Sequence, residues 1–491
     1  MTAARGATPA PDRFVWFDFE TFGSDPRRDR PAQFAALHTN AALELIEAPF
    51  RFDCAPAEDV LVDPVATLIT GLDPQRLVRE GLAEHAFAAA VENAFAATGA
   101  CAVGYNSIRF DDEVVRHLFW RNFRDPYRRE WADGRSRWDL IDLVRMCYAL
   151  RPHGIEWPVR EDGKPSFRLT DLTRANGIEH AAAHDALADV EATLALARLI
   201  RARQPRLFDW HLGARDRDRN HRLVDPAKAQ PFLHISSRYP AERGCMAMVL
   251  PLALLPHRPH AVVVYDLDAP PDDLLNLDAE SIRDRVFTPR ADLPEGVARI
   301  PLKTIHLNRA PALAPLSVLD GVDTARIGLD RERCLAHFRR IGPVALLSAK
   351  VRAAMGDLAS RPSDDADVAL YDGFVAPGDR QLCESAQRLP PHALDQRALP
   401  FADARLRAIL PRYRARNFPE SLDAAAADAW TADVSIRLWR GDEARSLGSY
   451  AGRVAEARST LAPGDMRHAL LDSLLDRAAR QATRFPEPSL A

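Results

Sequence analysis

Apolar and polar positions along the chain change their period as it proceeds. From Phe14 to about Gln204 short apolar runs alternate with helically spaced ones, which predicts an α/β layer. The run Phe14-Val15-Trp16-Phe17-Asp18-Phe19-Glu20-Thr21 reads as a buried strand. Its alternation puts Val15, Phe17 and Phe19 on one face and Asp18 and Glu20 on the other. Residues 42–46 and 51–54 read as further strands of a meander, and 101–106 as a strand entering a loop. Val115, Leu118 and Phe119 predict a helix from Asp112 onward. The stripe Leu187, Val190, Leu194 and Ala197 predicts another over 182–203, closed by Pro205. Further on, β-rich pieces such as 247–250 and 261–265, set between Pro-rich turns, predict a small barrel or sheet domain. The polar stretch 361–367 predicts a linker. From there to Pro486, Ala, Leu and Arg at helical spacing predict a helical domain.

At 491 residues the chain is long enough for roughly three domains. Its hydrophobic and charged fractions, 47% and 27%, are those of an ordinary soluble protein. With a net charge of −4 no global basic field exists, so a nucleic-acid partner has to be held by a local patch. The six cysteines are scattered without a C-x-x-C pair, which argues against a zinc knuckle or a disulfide framework and fits a reducing cytosol. Residues 1–13 read as a short flexible tail without a signal-peptide core, and no stretch approaches the roughly 20 apolar residues of a membrane span. A cytoplasmic protein without membrane attachment is expected.

Two carboxylates on one face of an aromatic strand repel each other and lose hydration, and a divalent cation resolves both problems. An isolated D-x-E also fits a strand that ends early with both acids in solvent. Further elements join it: Asp111, at a loop-to-helix junction, and His184 with Asp189, opening the helix near 186. Five helical positions are about 140° of rotation, so His184 is expected on the loop before that helix, with Asp185 as N-cap and Asp189 projecting from the helix. Singly these are a helix-start acid, a surface histidine and a solvated edge. Together, oxygen donors and one imidazole suit Mg²⁺ or Mn²⁺ better than zinc.

The order D-x-E, loop Asp, H-x-x-x-x-D resembles the DEDDh class of 3′-to-5′ exonucleases. Longer runs, including Thr21-Phe22-Gly23, Arg30-Pro31-Ala32-Gln33-Phe34-Ala35-Ala36, Pro165-Ser166-Phe167-Arg168-Leu169 and Tyr413-Arg414-Ala415-Arg416-Asn417-Phe418-Pro419, are similar to the bacterial exonuclease I family. The resemblance is strong over 14–210 and weak beyond about 425. It implies an RNase H-like exonuclease domain with a mixed sheet (14–204), an SH3-like β-rich domain (205–360) and an α-helical C-terminal domain (361–491). It implies processive 3′-to-5′ hydrolysis of single-stranded DNA to 5′-mononucleotides, in repair and recombination, by a monomer. Asp18, Glu20, Asp111 and Asp189 would hold two Mg²⁺ ions, replaceable by Mn²⁺, and His184 would take the proton of the attacking water. Glu20, Thr21, Arg116, Tyr127, Trp131, Arg145, Phe167, Arg168 and Lys303 would contact the DNA.

The resemblance also implies binding of the acidic tail of single-stranded DNA-binding protein, for which Arg151 matches one part of the pocket. Trp210 stands where a Tyr is expected, and Pro315 and Asp320 replace the expected Gln and Arg. An acidic Asp320 repels an acidic tail. Two other readings stay open: a DEDDh exoribonuclease or proofreading exonuclease, and a catalytically inactive single-strand binding protein.

Overall fold

The computed structural model describes residues 10–180, 184–356 and 362–489. The tail over 1–9 and the expected helix start at 182 therefore lie outside the described residues. The chain forms two compact units. One comprises the described residues of 13–136, 181–191 and 361–491, the other those of 1–12, 137–180 and 192–360.

In the first unit the sheet order is β3-β2-β1-β4, with β1 Arg13–Thr21, β2 Pro31–Asn40, β3 Phe50–Asp53 and β4 Cys101–Gly104. β1 runs antiparallel to β2 and parallel to β4, the mixed sheet the resemblance implies. Val15, Phe17 and Phe19 enter a core with Phe34, Phe87, Val91, Phe95, Val115 and Phe119, supplied by β2, by helices α1 (Glu84–Ala94) and α2 (Asp111–Arg121), and by the residue that follows α1. The opposite face of β1 is thus left for Asp18 and Glu20.

β2 has no counterpart in the strands read from the sequence. Its burial is continuous from Pro31 to Thr39, so no alternation marks it. The strand read at 42–46 is instead a turn. Leu43 has φ 68°, and the Asn40 side chain accepts the N–H groups of Ala42 and Glu44.

The C-terminal residues of this unit are helical, with long helices at Ala404–Asn417, Ala424–Arg440, Leu447–Ser459 and His468–Arg484. They join the sheet-bearing part through buried ion pairs. Arg416 pairs with Asp59 and Asp367, Arg437 with Asp59, and Arg30 with Asp367 and Glu84. Asp367 therefore lies in the core, although 361–367 reads as a solvated linker.

The second unit takes up the chain from Arg137, within β5 (Ser136–Asp139). Its centre is an antiparallel sheet of order β10-β6-β7-β8-β9, with β6 Phe232–Ile235, β7 Met246–Leu255, β8 Arg258–Asp266, β9 Leu302–His306 and β10 Ala312–Pro315. Both faces are covered by apolar side chains, as the uninterrupted Val262-Val263-Val264 anticipates.

Candidate active site

β1 carries its two acids to a point where the ladder slips. Asp18 pairs with Ala35 and Glu20 with Gln33, but Thr21 pairs with Pro31, so a bulge follows Glu20 directly. A bulge turns the strand and re-aims its side chains. Pro31 tolerates that position because it has no N–H to offer the ladder. Thr21 is buried, and its hydroxyl donates to the Gly23 carbonyl at 2.6 Å. Asp111, the first residue of α2, reaches back to the strand. The Phe19 N–H, between the two acids, donates to Asp111 Oδ1 at 3.1 Å.

His184 sits on the turn before helix α3 (Ala186–Arg203) with φ 68°, exposed. Asp185 caps that helix, its Oδ1 accepting the N–H groups of Leu187 and Ala188. Asp189 is the fourth helical residue, and its Oδ2 accepts the His184 N–H at 3.2 Å. The offset expected between His184 and Asp189 is what the chain adopts. One donor atom each from Glu20, His184 and Asp189 lies within 4.8 Å of the others.

Two residues that the sequence reading left without a role hold this turn in place. Gln33, fully buried opposite Glu20 in β2, accepts the Ala186 N–H on Oε1 at 3.1 Å and donates from Nε2 to Asp53 at 2.8 Å. Arg51 of β3 pairs with Asp185 at 2.7 Å. The available signal was an amide within an otherwise apolar run: a buried Gln needs partners on both ends.

The acids raise one another's proton affinity. Burial, then Asp111, Glu20 and Asp189, push the Asp18 carboxyl well above the usual range. Burial, then Asp189, Asp111 and Asp185, push Glu20 to about 9. A cluster so short of compensating charge fits a hard divalent cation, and its oxygen-dominated donor set suits Mg²⁺ or Mn²⁺. His184 adds a nitrogen that zinc would also accept.

The other residues singled out for substrate fall into two groups. In the unit that holds the acids, Trp131 is 68% exposed and Tyr127 half-buried. Arg116 is not an open cation: it is buried, its guanidinium bonded to Glu130 at 2.8 and 2.9 Å and to Glu113 at 2.6 Å, 5.3 Å from the Tyr127 ring centre. In the second unit Arg168 is exposed at the start of the helix Leu169–Ala175. Arg145 is buried and paired with Asp142 at 2.7 Å, Phe167 packs edge-on to Tyr148, and Lys303 Nζ lies 4.4 Å from the Tyr239 ring centre. Arg151 donates to the Leu150 and Val318 carbonyls, Trp210 Nε1 donates to the Leu313 carbonyl, and Asp320 pairs with Arg331. Among the described residues no helix is long and apolar enough to cross a membrane.

Family models match three successive stretches: an exonuclease over 15–197, an exonuclease I SH3-like domain over 215–356 and an exonuclease I C-terminal domain over 364–480. Exodeoxyribonuclease I of Escherichia coli K12 is 43% identical over 418 residues, 85% of this chain and 88% of that protein. The exonuclease I of the moderate thermophile Methylocaldum szegediense superposes with a TM-score of 0.90 at 46% identity, covering 96% of this chain and 99% of that one. The zinc-bound E. coli exonuclease I complex with single-stranded DNA gives 0.89 at 41% identity, over 96% and 100%. An SSB/exonuclease I structure with an inhibitor gives 0.87 at 39%, over 96% and 100%. With an acidic cluster on an exonuclease sheet, all three domain models in order and relatives aligned over most of their length, the chain belongs to the exodeoxyribonuclease I family.

Proposed function

We propose that the protein degrades single-stranded DNA from the 3′ end, releasing 5′-mononucleotides. The observation that carries this reading is the convergence of Asp18, Glu20, Asp111 and Asp189 with His184, in a family whose members include exonuclease I solved with single-stranded DNA. Asp18, Glu20, Asp111 and Asp189 would hold two Mg²⁺ ions, with Mn²⁺ as a substitute. Such ions, when bound, activate water and stabilise the leaving oxygen. The protein's own part is to keep four acids from dispersing and to present His184 Nε2 or Nδ1 as the proton acceptor for the attacking water. The exposed turn leaves the imidazole accessible, while the Asp189 carboxylate and Gln33 amide fix its backbone.

Thr21, Tyr127, Trp131, Arg168, Phe167 and Lys303 are proposed to touch the strand. Exposed Trp131 and Arg168 are the most direct candidates for base and phosphate. Arg116 and Arg145 are assigned to the same track as organisers, because carboxylates already neutralise both. A role in repair and recombination, a cytoplasmic location and a monomeric state complete the reading. Six free thiols, five of them buried, suit a reducing compartment.

An exonuclease I has been solved together with SSB. For this chain we propose a weak SSB-tail site at Arg151, because the Arg151 guanidinium already donates to two backbone carbonyls and Asp320 pairs with Arg331 instead of leaving that cation to an acidic tail.

A time course on 3′-labelled and 5′-labelled single-stranded DNA, with Mg²⁺ and with chelator, tests polarity and metal together, and an RNA of equal length tests the exoribonuclease alternative. Immediate loss of a 3′ label as mononucleotide, blocked by chelator and absent on RNA, is expected. Cleavage that begins at the 5′ end, or persists in chelator, would overturn the reading.

A further inference from the structure

Arg116 was expected to line the DNA track, yet it is buried and paired with Glu113 and Glu130. An accessible cation of the same neighbourhood is Arg27. Tyr371, 258 residues after Glu113, donates its hydroxyl to Glu113 Oε2 at 2.5 Å and accepts from Arg116 Nη1 at 3.2 Å. Its ring is 39% exposed and carries the Arg27 guanidinium, 5.2 Å from the centroid. Arg27 is exposed on the loop that follows the catalytic strand, seven positions after Glu20, and among the described residues no carboxylate forms a salt bridge with it. Three residues beyond Tyr371, Phe374 is 100% exposed. Its segment is not loose, because Arg405 Nη1 donates to the Ala369 and Gly373 carbonyls at 2.9 and 3.0 Å.

A bare phenyl ring held in solvent on a braced segment, three residues from a tyrosine whose face carries a cation, brings the two components a single strand needs: a π-face for a base and a positive charge for a phosphate. We propose that Arg27, Tyr371 and Phe374 form an additional single-stranded DNA contact, with Arg27 meeting a phosphate, Phe374 stacking on a base, and Tyr371 acting as the positioning residue that ties both to Arg116. The proposal rests on the single-stranded DNA reading above. It adds a contact from the C-terminal part of the chain, joined to Trp131 through Glu130, Arg116 and Tyr371.

The test is binding of a fluorescent oligo-dT to the full chain in chelator, followed by anisotropy across a salt series. Arg27→Ala is expected to weaken binding several-fold and lower the salt slope by about 0.7, one single-strand phosphate contact. Arg27→Lys is expected to restore the slope. Phe374→Ala is expected to weaken binding about fivefold or more with the slope unchanged. Trp131→Ala separates the two claims. If it weakens binding while Arg27→Ala and Phe374→Ala match the wild type in affinity and slope, this contact is wrong and the DNA track stands. If none of the three changes binding, both fall.

Discussion

The backbone N–H of Phe19 is bound by Asp111 Oδ1 at 3.1 Å, so the carboxylate from α2 is anchored to the strand between the two acids it must join. That bond and the repulsion from Asp18 act in opposite directions on the metal-free protein. Asp111→Asn keeps an acceptor for Phe19 and removes the charge, whereas Asp111→Ala strands a buried donor, at about 1–3 kcal/mol. Both are expected to abolish nuclease activity. In chelator, the Asn variant should melt at or above the wild-type temperature and the Ala variant below it. Equal melting temperatures for the two would show that the bond does not anchor the acid.

His184 holds a left-handed backbone conformation, uncommon outside glycine, two residues before the helix that carries Asp189. His184→Ala keeps the turn's hydrogen bond, which comes from the backbone, and removes only the imidazole. Turnover should fall by roughly 10²–10⁴ with oligonucleotide affinity in chelator unchanged, as for the loss of a proton acceptor. Calorimetric Mg²⁺ titration distinguishes this from loss of a ligand. Mg²⁺ affinity reduced in proportion to turnover would place the imidazole on the metal instead.

Gln33 gives a way to disturb that turn without touching an acid. Gln33→Leu removes the acceptor of the Ala186 N–H and the donor to Asp53. The expected result is a lower kcat, with DNA affinity preserved and a pH profile of the same shape. A kcat equal to wild type would mean that Asp185 and Arg51 suffice to hold the turn.

Strand β1 was legible because Asp18 and Glu20 break an otherwise aromatic alternation, and the loop-then-helix placement of His184 and Asp189 because residues five helical positions apart cannot share a face; grouping these residues with Asp111 rested on the family resemblance. β2 was not legible, because Phe34, Ala35 and Ala36 are buried on both faces and show no period. Leu43 looked like strand because its side chain is apolar, but Asn40, three residues before, fixes a turn by side-chain hydrogen bonds. Asp367 looked solvated because its partners, Arg30 and Arg416, are remote in sequence. The neutralisation of Arg116 by Glu130 was invisible for another reason: guanidinium and carboxylate on neighbouring elements reveal nothing about which faces which.

The pH dependence of metal-free stability follows from the site. Glu20, ordinarily at 4.5, is pushed to about 9, and Asp18 is also raised. Between these values the folded metal-free protein holds protons that the unfolded chain releases, so its stability falls as pH rises from about 4.5 through about 9. Mg²⁺ displaces those protons, so its affinity should increase across the same window. Melting curves in chelator from pH 5 to 9, and Mg²⁺ calorimetry in two buffers of different ionisation enthalpy, read both effects. Metal binding that releases no protons near pH 7 would show that the acids are ionised before the metal arrives.

Asp59 carries the opposite sign. Burial pushes its carboxyl up, but Arg416, Arg437 and Arg30 outweigh burial and leave it below the usual range, and Asp367 behaves likewise with Arg416 and Arg30. Their contribution is therefore present above the ordinary carboxylate pKa and is lost as pH falls below about 4. Asp59→Ala leaves Arg416 and Arg437 without their shared partner, and removing one side of a buried pair costs about 3–5 kcal/mol. The two arginines belong to the C-terminal helices and Asp59 to the segment after β3, so the loss should be felt as separation of these parts rather than as damage to the sheet. Urea unfolding of Asp59→Ala is expected to show an early transition in the far-UV signal of the helices, with the β1 core around Phe17 and Phe19 persisting to higher urea. A single transition shifted by less than about 1 kcal/mol would mean that apolar packing, such as Tyr413 against Phe123, holds the two parts together and the ion pairs add little.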